Sequence, residues 1–173
     1  LGIDTETKPN FKKGDARNPT SLLQVAARDA QGGEQVYLFD LLSLLGRQRA
    51  YTHFDSCLKD AFWSSKKVKL GQGLKQDLQE LHRSYPQCLA FKRLRGVIET
   101  NSLHRQLNPQ DKQVVGLKRL TQRYIHCALD KRQQCSNWSR RPLTEGQQTY
   151  AATDALVLLR LHDAMTHEVP HNL

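Results

Sequence analysis

Apolar and polar positions change rhythm along the chain, from alternation to helical spacing and back. Leu1–Glu6 (LGIDTE) reads as a strand, and Lys8–Thr20 reads as a loop because Pro9, Gly14 and Pro19 punctuate it. Ser21–Arg28 (SLLQVAAR) and Gln35–Asp40 (QVYLFD) are short apolar runs parted by Gly32-Gly33, the pattern of a hairpin. Thr52–Trp63 sets Phe54, Leu58, Ala61 and Phe62 at helical spacing. Lys67–Gly71 predicts a fourth strand, Leu74–Arg83 a helix ending before Tyr85-Pro86, and Arg95–Thr100 a fifth strand. Gly116–Cys127 predicts another helix, and Leu129–Arg141 a polar loop. The last helix starts near Thr144 and runs to about His167; Thr144-x-x-Gln147 forms a capping box at its start. Strands first, then helices interleaved with strands, predict an α/β layer around a mixed sheet of about five strands.

Length adds one constraint. A chain of 173 residues suits a single domain. It opens at Leu1, inside a strand and without Met, so residues 1–173 read as a domain cut from a longer protein. Charge adds another. Lys plus Arg is 26 against 17 for Asp plus Glu, a formal net charge of +9, which favours a polyanionic partner such as nucleic acid or an anionic membrane surface. The densest apolar stretch, Leu41–Leu45, falls far short of the roughly 20 residues that span a bilayer. No helix pairs aromatic anchors with a basic face, so a membrane role is not expected. Cys57, Cys88, Cys127 and Cys135 form no C-x-x-C pair and read as free, mostly buried thiols. His126, Cys127 and Cys135 have the wrong spacing for the common zinc sites.

The informative residues are carboxylates in places where pattern alone calls for apolar side chains. Strand alternation puts Asp4 and Glu6 on one face, with Cα atoms about 6.6 Å apart. Asp77 fills the gap in the Leu74, Leu78, Leu81 stripe, and Asp154 edges the stripe of Ala151, Ala155 and Leu158. Tyr150 precedes Asp154 by one helical turn and shares its face. Inward carboxylates are costly unless paired or bound to metal. Hard divalent cations take oxygen ligands, so this cluster on a basic domain points to metal-assisted phosphoryl transfer. Tyr51/Asp55 repeats the Y-x-x-x-D spacing by chance; Asp55 reads as a first-turn acid near Thr52.

The ordered set of D-x-E on a strand, an inward Asp on a middle helix and Y-x-x-x-D on the last helix resembles the DEDDy 3′–5′ exonucleases of the ribonuclease D-like family. Leu1–Glu6 is similar to that family's first motif, Leu22-Leu23-Gln24 to the strand after it, and Lys69–Leu78 (KLGQGLKQDL) to its second motif. Asn137–Leu143 (NWSRRPL), Gln147 and Tyr150–Ala155 (YAATDA) are similar to the third, and Cys135–Leu143 (CSNWSRRPL) most resembles Nibbler-type enzymes that trim small RNAs. The resemblance implies a ribonuclease H-like fold and two divalent cations, Mg²⁺ or Mn²⁺. By the same resemblance, Asp4, Glu6 and Asp154 would hold the catalytic ion, and Asp4 with Asp77 the second. Tyr150 would orient the attacking water, since a phenol near pKa 10 is a poor base at neutral pH. Thr7 stands where relatives often carry an aromatic residue, which bears on stacking of the terminal base.

Candidate substrate contacts are Thr5 between the two acids, Lys12 and Lys13 on the loop after them, and Lys75 near Asp77. Lys66, Lys67 and Lys69 surround the same approach, and Arg17 lies on the first loop. Trp138, Arg140 and Arg141 either meet substrate or pack the loop that positions the last helix. His162 reads as a satisfied core histidine. The expected activity is hydrolysis of the terminal phosphodiester of single-stranded RNA, trimming 3′ ends of small RNAs such as miRNA or piRNA. By the resemblance, an Argonaute- or Piwi-type protein in the cytoplasm, or else the nucleus, would present those ends. A Werner-like DNA exonuclease and a catalytically silent nucleic-acid-binding module are the competing readings.

Overall fold

The computed structural model describes residues 1–10, 12, 14–45 and 48–168. Strands β1 (Gly2–Thr7), β2 (Thr20–Arg28) and β3 (Glu34–Asp40) pair antiparallel in sequence. A single helical turn, α1 (Leu41–Leu44), and the longer helix α2 (Gln48–Phe62) follow. Strand β4 (Lys69–Gly71) then joins the free side of β1 in parallel, and α3 (Leu74–Ser84) follows it. A 3₁₀ turn at Leu89–Lys92 leads to β5 (Val97–Glu99), which pairs in parallel with β4. Helices α4 (Thr100–Leu107), α5 (Leu117–Ile125) and α6 (Glu145–Glu168) complete the described chain. The sheet order is β3-β2-β1-β4-β5, so β1 is its central strand. This is the mixed, helix-flanked sheet that the apolar pattern predicts.

Alternation along β1 and β2 feeds two separate cores. Ile3, Leu23 and Val25 face α2 and α3, packing with Phe54, Leu58, Phe62, Leu74, Leu81 and Phe91. On the other face Leu22 and Ala26 lie under α6, against Ala151, Ala155 and Leu158. Each fully buried Leu or Phe here contributes roughly 1.5–3 kcal/mol. Gly2 sits where α6 crosses β1: a Cβ there would lie 2.2 Å from the Ala155 carbonyl oxygen. Glycine therefore lets the last helix lie directly on the strand that carries Asp4 and Glu6. The capping box forms as its spacing predicts. Gln147 N donates to Thr144 Oγ1 at 3.2 Å, and Thr144 N donates to Gln147 Oε1 at 3.0 Å.

Several local expectations are corrected. Helix α2 begins four residues before Thr52, so Asp55 is interior. It is buried and accepts from Ala90 N at 2.7 Å and Cys88 Sγ at 3.0 Å, fixing the 3₁₀ turn to α2 rather than capping a helix start. Helix α4 is absent from the apolar pattern because its buried face is Thr100, Asn101 and His104. His104 Nδ1 shares a hydrogen bond with the Tyr124 hydroxyl (2.7 Å), and its Nε2 lies 3.1 Å from Asp111 Oδ2. His104 is thus the satisfied core histidine, whereas His162 is half-buried and lies 3.8 Å from Asp163. All four cysteines are free, as expected, but Cys57, Cys127 and Cys135 are exposed and only Cys88 among them is buried.

Candidate active site

Three carboxylates converge at the crossing of β1 and α6. Asp4 and Glu6 project from β1 on the α6 side, and Asp154 comes down from the helix. Oxygen atoms from the three lie within 4.8 Å of one another. Glu6 and Asp154 are buried and Asp4 is half-buried. Tyr150, one turn before Asp154, sets its phenol beside the Asp154 carboxylate and acts to lower its pKa. Its ring packs against Trp138, with centroids 5.9 Å apart.

Asp77 approaches from the other side of the strand. Thr5 points away from Asp4 and Glu6, and its hydroxyl donates to Asp77 Oδ1 at 3.1 Å. Helix α3, which carries Asp77, belongs to the core beneath Ile3. Gly73 precedes α3 in a left-handed conformation (φ +87°), and its N–H donates to Glu99 Oε2 at 2.7 Å, which anchors the start of α3 to the end of β5. Four carboxylates expected from the sequence are therefore near one another, but only three share the tight cluster.

Burial and mutual repulsion act together on these acids. Burial pushes the Glu6 carboxyl up to about 10, and Asp4, Asp154 and Asp77 add to the shift. Asp4 is held well above the ordinary carboxylate range by burial, then by Asp77 and Asp154. Burial also raises Asp154, against the pull of Tyr150 and Lys131. Asp77 is pushed up to about 6 by burial, opposed by the Thr5 hydroxyl. Burial, followed by Asp154, lifts the Tyr150 phenol far above its usual value, so it keeps its proton at neutral pH. An all-oxygen donor set with this much uncompensated negative charge fits hard divalent cations.

A cleft opens over the cluster, lined by Asp4, Thr5, Glu6, Tyr150 and Asp154 and walled by Gln72, Lys131 and Gln134. A second groove adjoins it through Leu129, Tyr150 and Asp154 and runs past Gln133, Gly146 and Thr149. Lys131 is the residue that pattern reading misses. It is exposed, but its charge lies close enough to oppose the raised pKa of both Asp4 and Asp154. Its only sequence signal is its place in the polar loop before the Y-x-x-x-D helix.

The proposed substrate contacts divide. Lys12, Lys75 and Arg140 are exposed, as phosphate contacts must be. Lys66 and Lys67 are also exposed. Lys13 lies outside the described residues. Lys69 is a correction: it is fully buried in β4, and its Nζ donates to the carbonyls of Ser64 and Lys67. Trp138 is another, with no exposed surface, wedged among Leu22, Ala151 and Tyr150. Arg141 is a third. It grips Asp40 through Nε at 2.8 Å and Nη2 at 2.6 Å, and donates to the carbonyls of Ser21 and Trp138. Trp138 and Arg141 position the loop and α6, the plainer of the two readings that sequence leaves open.

Comparison with known proteins finds related chains. The profile of a 3′–5′ exonuclease family matches residues 1–170. The human exonuclease mut-7 homolog is 36% identical over 181 residues, covering 97% of this chain and 20% of that protein. The mouse bifunctional 3′–5′ exonuclease/ATP-dependent helicase WRN is 30% identical over 169 residues, covering 95% of this chain and 11% of that one. Among solved structures, the Aedes aegypti Nibbler EXO domain is similar at TM-score 0.79 and 27% identity, over 98% of this chain and 78% of that chain. The chain spans a fifth or less of the length of these two curated relatives.

Proposed function

This chain belongs to the 3′–5′ exonuclease family, and on that premise we propose that it hydrolyses the terminal phosphodiester of single-stranded RNA, using two Mg²⁺ or Mn²⁺ ions. The observation that carries this reading is the convergence of Asp4, Glu6 and Asp154 within 4.8 Å beneath an open cleft. Asp4, Glu6 and Asp154 would hold one cation, and Asp77 would help Asp4 hold the second. Cations bound there supply Lewis acidity and positive charge at the scissile phosphate.

The chain's own groups do the positioning. Tyr150, protonated and braced by Trp138, orients the attacking water toward the phosphorus. Lys131 faces a non-bridging phosphate oxygen from the cleft wall, where its charge offsets that of the incoming strand. Lys12, Lys75 and Arg140 draw the backbone toward the cleft by salt-dependent attraction. The resemblance of Cys135–Leu143 to Nibbler-type trimming enzymes supports small-RNA 3′ ends as the substrate, presented by an Argonaute- or Piwi-type protein in the cytoplasm.

The test is a paired assay on matched RNA and DNA oligonucleotides labelled at the 5′ end, with Mg²⁺ or Mn²⁺. Stepwise shortening of RNA, abolished by Asp4→Asn, is expected. Retained trimming by Asp4→Asn would sink the assignment. The similarity to mouse WRN favours one second reading, a DNA exonuclease. Faster shortening of the DNA strand would establish it.

A further inference from the structure

Gln24 stands directly across the sheet from Asp4. Their Cα atoms are register partners in the antiparallel β1–β2 pair, so both side chains emerge on the α6 face. Opposed residues have Cβ atoms about 4.5–5.5 Å apart, within reach of a glutamine carboxamide. Gln24 has no exposed surface. Neither its Nε2 nor its Oε1 has a hydrogen-bond partner. Its own register partner on β3 is Leu38, and the helix above presents Ala151 and Ala155, which offer no polar side chain.

A buried amide with no partner is destabilising, and an apolar residue of the same size would suit this core better. The indole nitrogens of Trp63 and Trp138 are unpartnered too, but each serves a large ring that fills space. Gln24 has no such excuse, and Asp4 is the polar group beside it in the sheet. We propose that Gln24 is a positioning residue: its carboxamide donates to the Asp4 carboxylate and orients it as a cation ligand. A carboxylate ligand oriented by a buried donor loses less freedom on binding, and such supporting groups commonly change metal affinity by about 10–100-fold. This inference rests on the metal-dependent reading of the site.

The test compares wild type, Gln24→Leu and Gln24→Met by Mn²⁺ calorimetry, by metal-free thermal melting and by RNA trimming kinetics. Gln24→Leu should melt at or above the wild-type temperature without metal, because unpaired buried atoms are removed. It should bind Mn²⁺ about tenfold more weakly. Its kcat should fall while KM for RNA stays within twofold. If the leucine branch does not pack, Gln24→Met, unbranched and of similar reach, must show the same loss of Mn²⁺ affinity. Unchanged Mn²⁺ affinity in the folded variant overturns the proposal. The affinity ratio decides the role of Gln24 whether or not RNA is shortened, so absence of trimming in a Mn²⁺-binding wild type counts against the exonuclease reading alone.

Discussion

The Thr5 hydroxyl donates to Asp77 Oδ1 at 3.1 Å and ties together two positions 72 residues apart in sequence. It draws α3 to the back of the strand whose front carries Asp4 and Glu6. Thr5, a candidate substrate contact by position, also lines the cleft, but its hydroxyl is engaged by this carboxylate. Thr5→Val keeps the shape and removes the donor. We expect kcat for RNA trimming to fall about tenfold, with a stability change of about 1 kcal/mol. Thr5→Ser should restore the rate. Equal rates for valine and threonine would show that Asp77 needs no such support.

The Asp40–Arg141 pair yields a pH-dependent prediction. Hydrogen bonds from Arg141 hold the Asp40 carboxyl down at about 2, below its ordinary value of 3.8. The folded value is depressed, so the pair's contribution is complete above about pH 4. It is lost as pH falls toward 2. Arg141→Met should cost about 2 kcal/mol at pH 7, since a charged donor to several acceptors is lost. Urea titrations at a series of pH values should show the gap between wild type and variant narrowing toward pH 2, with the part owed to the Ser21 and Trp138 carbonyls remaining. A constant gap down to that pH would assign the stability of this loop elsewhere.

Lys131 should reveal itself through salt. One lysine–phosphate contact on a single strand contributes about 0.7 to the slope of log affinity against log salt. Lys131→Met is expected to lower that slope by about this amount and kcat/KM by more than tenfold at low salt, with the fold unchanged. A variant whose salt slope matches wild type would remove Lys131 from the substrate path.

The Gly2 crossing admits no side chain. Gly2→Ala would put a methyl group 2.2 Å from the Ala155 carbonyl, a backbone atom that can yield only if α6 moves. We expect destabilisation of about 1–3 kcal/mol, read by urea melting. RNA trimming should drop further than stability does, because the shift separates Asp154 from Asp4 and Glu6. Full activity in a destabilised variant would mean that the three-acid spacing tolerates movement of the helix.

The acids were legible in the sequence because burial is written against them. Asp4, Glu6, Asp77 and Asp154 interrupt patterns that otherwise call for apolar residues, and Tyr150 shares a helical face with the last. The strands and the β2–β3 hairpin followed from alternation and from Gly32-Gly33, whereas the place of β1 at the centre of the sheet did not. Helix α4 was hidden because polar groups fill its inward face, and hydrophobic periodicity has nothing to detect when Asn101 and His104 are the core. Lys69, Trp138 and Arg141 mislead for a related reason. A lysine or arginine reads as surface, yet Lys69 and Arg141 are held by carbonyls or a carboxylate that only the folded chain brings near, and Trp138 fills a space between strand and helix that no local pattern marks. Lys131 left no pattern at all, since its role follows from where a loop passes and not from any repeat.

Two halves of the proposed site hang from opposite sides of one strand. Asp154 depends on the packing of α6, while Asp77 depends on α3 and the core beneath it. β1 is therefore a party wall, and each tenant can leave without the other. Warming that loosens α6 from the sheet should silence the enzyme while α2, α3 and the strands between them still resist exchange of their amide hydrogens. Activity would then be the earliest casualty of heat, lost at a temperature where most of the molecule still holds its shape.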